Sequence, residues 1–494
     1  MGGAIMTRMA LRLLPLLGGI MWFSRAEAEP FPLEVALQRA MDRSPTILTA
    51  RSNLEISRRN LLAQRAALRS QFHLTLTPLQ LSRDRVFNDL VSAYNTQEQT
   101  QSGGFLSIRQ PIEWSDGTLS LTQGLNWREA SSSFAGGGEQ TTFSSSLQLR
   151  YSQPLFTYNR TRLDLKQLEL ELENARLSYA VQRLQIESDV TRQYLDLYYR
   201  QRNVGIAAEE LRNATESLEI IRSKVDAGIT AAEEFYQADL TRANSQATLE
   251  NVQMQFANAH DTFCLLLGLP FDTELDVEAD VRPQMTTVDL DEAVKHGVTH
   301  RMEIRQSDLA VRNAMADVIR TRALNEFNGS VDVTFGLIGT DETAADVYAS
   351  PTRNQGVAVQ LNVPLFDWGE SAHRVAAAEQ QVARSERSAA EERRQITAEI
   401  RQAHRALQNQ ETQIGIATKS VDNARRTYEI NLERYRNGDL PSKDIAFYQT
   451  QLSREQLNEV FARINYELAL LDLKVRTLYD FARGEPLAPT VDGD

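Results

Sequence analysis

Residues 157–227 contain no proline and a single glycine, Gly205, and their apolar side chains recur at helical spacing. Ile186, Val190, Tyr194 and Leu197 form one stripe; Leu165, Leu168, Leu172, Ala175 and Tyr179 form a second. That period predicts one continuous helix, roughly 100 Å long at about 1.5 Å per residue. Isolated helices are marginal in water, so a rod of this length needs neighbours along its whole extent. Two apolar stripes suit a stave in a coiled coil or a helical barrel, touching one neighbour on each side.

The same stretch occurs twice. Shifted by 210 residues, Gln153-Pro154-Leu155-Phe156 becomes Val363-Pro364-Leu365-Phe366, Gly205-Ile206-Ala207 becomes Gly415-Ile416-Ala417, and Gly228 becomes Gly438. Upstream the copies match at a shift of 257: Leu33, Ala36 and Ile47 meet Leu290, Ala293 and Ile304. The constant register defines two tandem copies of one unit. The first copy holds 47 more residues between its matched blocks.

Composition narrows the function. A net charge of −13 argues against nucleic acid as the main partner, because phosphate binding needs a basic face. The single cysteine, Cys264, excludes an internal disulfide and a cysteine-based zinc site. It lies within Phe263-Cys264-Leu265-Leu266-Leu267 and reads as a buried structural thiol. Residues 1–28 read as a signal peptide, with Arg8 and Arg12, an apolar run to Phe23 and an Ala26-Glu27-Ala28 cleavage site. No cysteine follows the run, so no lipid anchor is expected. No later apolar run approaches eighteen residues, so any membrane crossing must use strands.

The first repeat is expected over 29–270, a polar linker over 271–289, the second repeat over 290–481 and a disordered tail over 482–494. Ser44-Pro45 opens a helix, with Ser44 as N-cap. Strands are expected within about 71–156 and 330–364, where the apolar period becomes two, as in Phe72, Leu74 and Leu76 or Val331, Val333 and Phe335. Pro78 shifts the phase and implies a bulge. An additional pair of strands in the first copy turns at Ser115-Asp116-Gly117, and the alternation leaves its place in or outside the sheet open. Each long helix (157–227, 368–437) is followed by a returning helix (231–267, 442–480) beyond a tip glycine. Strands of about 9–11 residues can cross a bilayer, although alternation alone also fits a soluble two-faced sheet. Four strands, or six with the additional pair, are too few to enclose a pore, so several chains would have to share one barrel.

With these features the chain resembles the TolC family of outer-membrane efflux and secretion channels. The paired proline motifs at the strand-to-helix junctions carry the resemblance, as do the tip turns Val225-Asp226-Ala227-Gly228 and Tyr435-Arg436-Asn437-Gly438. It implies a mixed, mainly α fold: two repeats of helical hairpins, whose strands join a trimeric twelve-stranded barrel in outer-membrane lipid continued by a periplasmic α-barrel. It implies a homotrimer docked by its tips, Gly228 and Gly438, to a periplasmic adaptor. Beyond that adaptor it implies an inner-membrane pump or secretion transporter of a tripartite efflux or type I secretion system. It also places a gate at the tips, where Glu234 would bond Tyr435 and Asp444 would line the aperture. The family's basic residue two past the second tip glycine is Leu440 here, and its further acid is Phe447, so fewer polar links are expected.

The competing reading is a soluble periplasmic coiled-coil adaptor that bridges membranes without a pore. The two unequal hairpins flanking strands of membrane-crossing length favour the channel. His296 and His300 have metal-binding spacing, but a polar helix end is the expected reading because no third ligand is evident. Gly205 and Gly415, repeated in mid-helix, suggest a shared need for bending or close helix approach. No phosphate loop, nucleophile elbow or zinc-protease signature is found, so an enzyme is not expected, and no cofactor or metal.

Overall fold

The computed structural model describes residues 31–88, 92–132, 138–278, 285–437 and 439–487. Residues 1–28, expected as a signal peptide, Gly136 and Gly137, Gly438 and residues 488–494 lie outside the described residues.

Helices α1 (Leu33–Arg43) and α2 (Pro45–Ala67) precede strands β1 (Gln71–Asn88), β2 (Ala93–Ile112), β3 (Gly117–Ser132) and β4 (Gln140–Leu155). The long helix α3 (Arg160–Asp226) and returning α4 (Ala232–Leu267) complete the first copy. The second comprises α5 (Leu290–His300), α6 (Met302–Ala323), β5 (Asn328–Asp341), β6 (Thr352–Asn362), α7 (Glu370–Arg436) and α8 (Ser442–Thr477). Both long helices hold 67 residues and both returning helices 36, at the shift of 210 read from the sequence. α5 and β5 begin 257 residues after α1 and β1, so β2 and β3 are the strands without a counterpart.

The copies pack side by side. In the half nearest the sheet, α2, α3, α6 and α7 run together; in the tip half, α3, α4, α7 and α8 do. Two related cores sit where the short helices meet the long ones. In one, Tyr194, Leu197, Phe263 and Cys264 pack against Ala36 and Ala40. In the other, Ile396, Ile400, Leu407 and Tyr466 pack against Ala293. Burial raises the Cys264 thiol pKa, in keeping with a structural role. The Tyr194 hydroxyl lies 2.8 Å from the carbonyls of Phe31 and Glu278 and ties the linker to α3. Its phenol is pushed up to about 12 by burial.

Several details differ from the sequence reading. Ser44 stands at the N-cap of α2 but makes no side-chain cap bond. Gly205 and Gly415 face open space within the chain, so close approach of its own helices does not explain them. A close approach belongs instead to Gly297, where a Cβ would stand 2.2 Å from Ile400. His296 stacks on Tyr479 at 4.1 Å, a packing contact. Residues 482–487, expected in a disordered tail, are folded back: β7 (Tyr479–Asp480) pairs with β8 (Glu485–Pro486), and Asp480 accepts the amides of Ala482 and Arg483.

The strands form one antiparallel sheet in the order β1-β2-β3-β4-β5-β6. The additional pair is therefore part of the sheet. The register shifts between Thr77 and Gln80, around Pro78, as its proline implies.

Candidate functional site: an uncovered sheet face and a helical tip

Register determines which side chains share a face of the sheet, because neighbours along a strand alternate. Leu74 stands opposite Leu106, Ile108 opposite Leu121, Leu121 opposite Leu149, Leu149 opposite Phe335, and Val333 opposite Val357. These belong to one apolar face crossing all six strands. The other face carries His73, Ser107, Thr122, Gln148, Arg150, Asp332, Thr334 and Gln360, with Arg150 and Asp332 paired at 3.4 Å. Apart from the single 3-10 turn Asp346–Tyr348, whose Val347 lies against Gly339 at the far end of β5, no described element covers the apolar face: Leu74 is 65% exposed and Val357 70%.

Aromatic residues stand at both ends of the apolar band. At the helix end are Trp114, Phe156, Phe327, Phe366 and Trp368, with Phe156 on Phe327 at 5.0 Å and Phe366 on Trp368 at 4.6 Å. At the far end Trp127 stands opposite Phe143. Twelve steps separate Phe143 from Leu155, about 40 Å of strand at ~3.3 Å per residue. At a tilt of about 40° this is a height of roughly 30 Å, the thickness of a bilayer's hydrocarbon core.

The strand-to-helix junctions are fixed by aspartates. In the second copy, Asp367 accepts the amides of Gly369 and Ser371 and a bond from Asn325. Bonds from Ser371, then Gly369 and Asn325, hold its carboxyl well below the usual range. The equivalent position of the first copy is Thr157, and α3 is capped by Asn159, which accepts the Arg162 amide at 2.8 Å, together with the turn between β2 and β3. Asp116 accepts the amides of Arg160 and Thr161, and Asn159 donates to the carbonyl of Glu113. The added hairpin is thus bolted to α3. Pro154 lies at the end of β4 opposite Ser330, and Pro364 lies exposed in the connection between β6 and α7.

At the other end, Gly228 adopts φ +71°, where a side chain would be strained. Ile229 donates to Lys224 across this turn at 2.9 Å, and Asp439 donates to Arg434 at 2.9 Å in the second tip. The structure does not join Glu234 to Tyr435. Glu234 accepts the Ser442 amide at 3.2 Å and its hydroxyl. Tyr435, buried near the end of α7, meets Ser217 of α3 at 3.3 Å, with Lys224 5.3 Å over its ring. Asp444 is half-buried in the first turn of α8. A cavity of about 250 Å³ lies between the four helices here, lined by Glu210, Ser217, Tyr428, Tyr435, Ser442 and Thr450. Ser442 was not singled out from sequence. Its signal is Pro441, an N-cap without a side-chain acceptor, which leaves the α8 amides to be satisfied from elsewhere.

Where the four-helix bundle meets α5, Arg301 bonds Glu303 and Glu399 at 2.7 Å each. Arg476 bonds Glu399 at 2.9 Å and Asp472 at 2.7 Å. This network joins α6, α7 and α8.

Residues 117–269 and 297–475 match the family described as Outer membrane efflux protein. The pyoverdine export outer membrane protein OpmQ of Pseudomonas putida is 25% identical over 67% of this chain and 69% of its own. Nodulation protein T of Rhizobium leguminosarum is 24% identical over 28% of this chain, which spans only 29% of that protein's length. Among solved structures, the Campylobacter jejuni CmeC outer membrane channel has a TM-score of 0.69 at 15% identity, covering 92% of this chain and 86% of that one.

Proposed function

The chain belongs to the outer membrane efflux protein family, and from that premise we propose that it is the outer-membrane exit duct of a tripartite efflux or type I secretion system. Three copies share one barrel in the lipid, and their helices continue the bore about 100 Å into the periplasm. Cargo passes without chemistry at the wall. An adaptor docks at the tips around Gly228 and Gly438, linking the duct to an inner-membrane transporter. Asp444 and the Glu234–Ser442 contact bound the entrance.

The observation that carries this reading is the uncovered apolar face, of bilayer height and rimmed by aromatic side chains. Such a face demands lipid. A six-stranded sheet is too small to close around water, and its open edges are not tolerated in a bilayer, so several copies must close it together. Among the described residues no helix is long and apolar enough to cross a membrane, which leaves the strands as the crossing elements.

The test is fractionation followed by conductance. The protein is expected to stay with outer membranes through a high-salt wash and to conduct in a planar bilayer after purification as a trimer. Release by salt as a non-conducting protein would favour the soluble adaptor instead.

A further inference from the structure

We infer that the barrel closes with eighteen strands rather than twelve, the β2–β3 hairpin widening the duct in the membrane. The inference rests on the trimeric reading above, and two observations carry it.

First, β2 and β3 are full members of the sheet. They pair with each other and with β1 and β4 over their length. Their residues Leu106, Ile108, Leu119, Leu121 and Leu125 carry the apolar face across the hairpin, with Gln110 and Gln123 set among them. A hairpin folded into the lumen or above the membrane would not need that face. Second, the turn between them is held by Asp116 at the amides of Arg160 and Thr161, at the level where the helices begin. An even count of strands also leaves β1 and β6 running in opposite directions. The β6 edge of one copy can therefore pair antiparallel with the β1 edge of the next, as closure requires.

Three copies of the added hairpin bring six strands beyond twelve. Eighteen strands about 4.8 Å apart and tilted about 40° make a circumference of roughly 113 Å, about 1.5-fold that of twelve. The duct therefore suits cargo whose girth would not clear the narrower barrel.

Internal symmetry supplies the test. Ser330 of β5 stands opposite Gln360 of β6, and their counterparts in the first copy are His73 and Arg150. A twelve-stranded barrel with the hairpin outside the sheet would place those two opposite each other. In the structure the hairpin separates them: His73 faces Ser107 and Arg150 faces Ser120. Cysteine pairs are introduced into full-length protein carrying Cys264→Ser and oxidised in outer membranes. His73→Cys with Ser107→Cys, and Ser120→Cys with Arg150→Cys, are expected to form disulfides within one chain of an intact trimer. His73→Cys with Arg150→Cys is expected to stay reduced. A disulfide in this last pair with the trimer intact overturns the eighteen-strand barrel and leaves the channel reading standing. A monomer in native gels removes the trimeric reading itself. If a cysteine pair fails to assemble, electron cryomicroscopy of the unmodified trimer decides by strand count: eighteen supports the inference and twelve overturns it.

Discussion

The carboxylate of Glu234, in the first turn of α4, accepts the backbone N–H of Ser442, the first residue of α8, at 3.2 Å. A side chain of one repeat thereby caps a helix of the other. The need arises locally, because Pro441 occupies the N-cap and offers no side-chain acceptor. If the tips form the entrance, this contact holds the two hairpins together at the aperture. A cap of this kind contributes about 1–2 kcal/mol, which corresponds to a roughly 5–30-fold change in an equilibrium. Glu234→Ala is therefore expected to raise the open frequency of the resting channel in a planar bilayer by that factor. Tyr435→Phe should do less, because it removes only the 3.3 Å contact with Ser217 and keeps the ring beside Lys224. A larger effect from Tyr435→Phe would reverse the ranking and restore the tyrosine as the main latch.

Asp116 tests whether the added hairpin supports the helix below it. Asp116→Ala leaves the Arg160 and Thr161 amides without their acceptor, at a cost of about 1–2 kcal/mol. Exchange of these two amides, followed by mass spectrometry, should accelerate about tenfold, while α7, capped by Asp367, is unaffected. Asp116→Asn keeps an acceptor and should show less than half the effect in free energy. Equal acceleration at both helix starts would mean general loosening rather than a lost cap.

Much of this architecture was written in periodicity. The lengths of α3 and α7, their tip turns and their doubling follow from apolar spacing and from glycines at a constant offset. The sheet was legible as strands but not as an order, because alternation shows that a segment has two faces and not which segment lies beside it. The 47 residues of the first copy thus marked an added hairpin, about 104–127, without placing it in or outside the sheet. The tip contacts were less legible still. Glu234 and Tyr435 were expected to meet because the family resemblance implies an acid–tyrosine bond at these positions, yet the choice between Tyr435 and Ser442 depends on fractions of a helical turn between packed helices. Asp116 could have been weighed earlier: the Thr157 position lacks the carboxylate that Asp367 supplies in the second copy, and an Asp-Gly turn lies in the inserted segment.

The network around Glu399 predicts a dependence on acid. Desolvation pushes the Glu303 and Glu399 pKa values up from 4.5, but bonds from Arg301 outweigh it, and both end below 4.5. A carboxyl with a lowered folded pKa binds fewer protons folded than unfolded between the two values. Its contribution is therefore present above about pH 4.5 and is lost as the pH falls through the folded value. Glu187 and Glu467, raised by burial, act in the opposite sense. The comparison that isolates the network is Glu399→Gln. Its urea midpoint should lie below that of the unmodified protein at pH 7, and the gap should narrow as the pH is taken below 4.5. A gap that stays constant with pH would mean that Glu399 acts by packing rather than by charge.

Neighbouring residues of β3 offer the sharpest test of what the sheet faces. Leu121 lies on the apolar face between Ile108 and Leu149, while Thr122 lies on the polar face between Ser107 and Gln148. One step along the strand reverses the solvent that each side chain meets. An arginine on the lipid face near the bilayer midplane costs about 2–4 kcal/mol, whereas one in a watery lumen costs little. Leu121→Arg is thus expected to lower the trimer recovered from outer membranes severalfold, and Thr122→Arg to leave it within about twofold of the unmodified level. The second variant should instead shift ion selectivity towards anions, because a cation added to the lumen wall repels cations in transit. If both variants assembled normally, β3 would have water on both faces and the hairpin would stand clear of the membrane. If only Thr122→Arg failed, the assignment of the two faces would be inverted. The contrast within one pair of residues keeps the test independent of how stable the rest of the chain is.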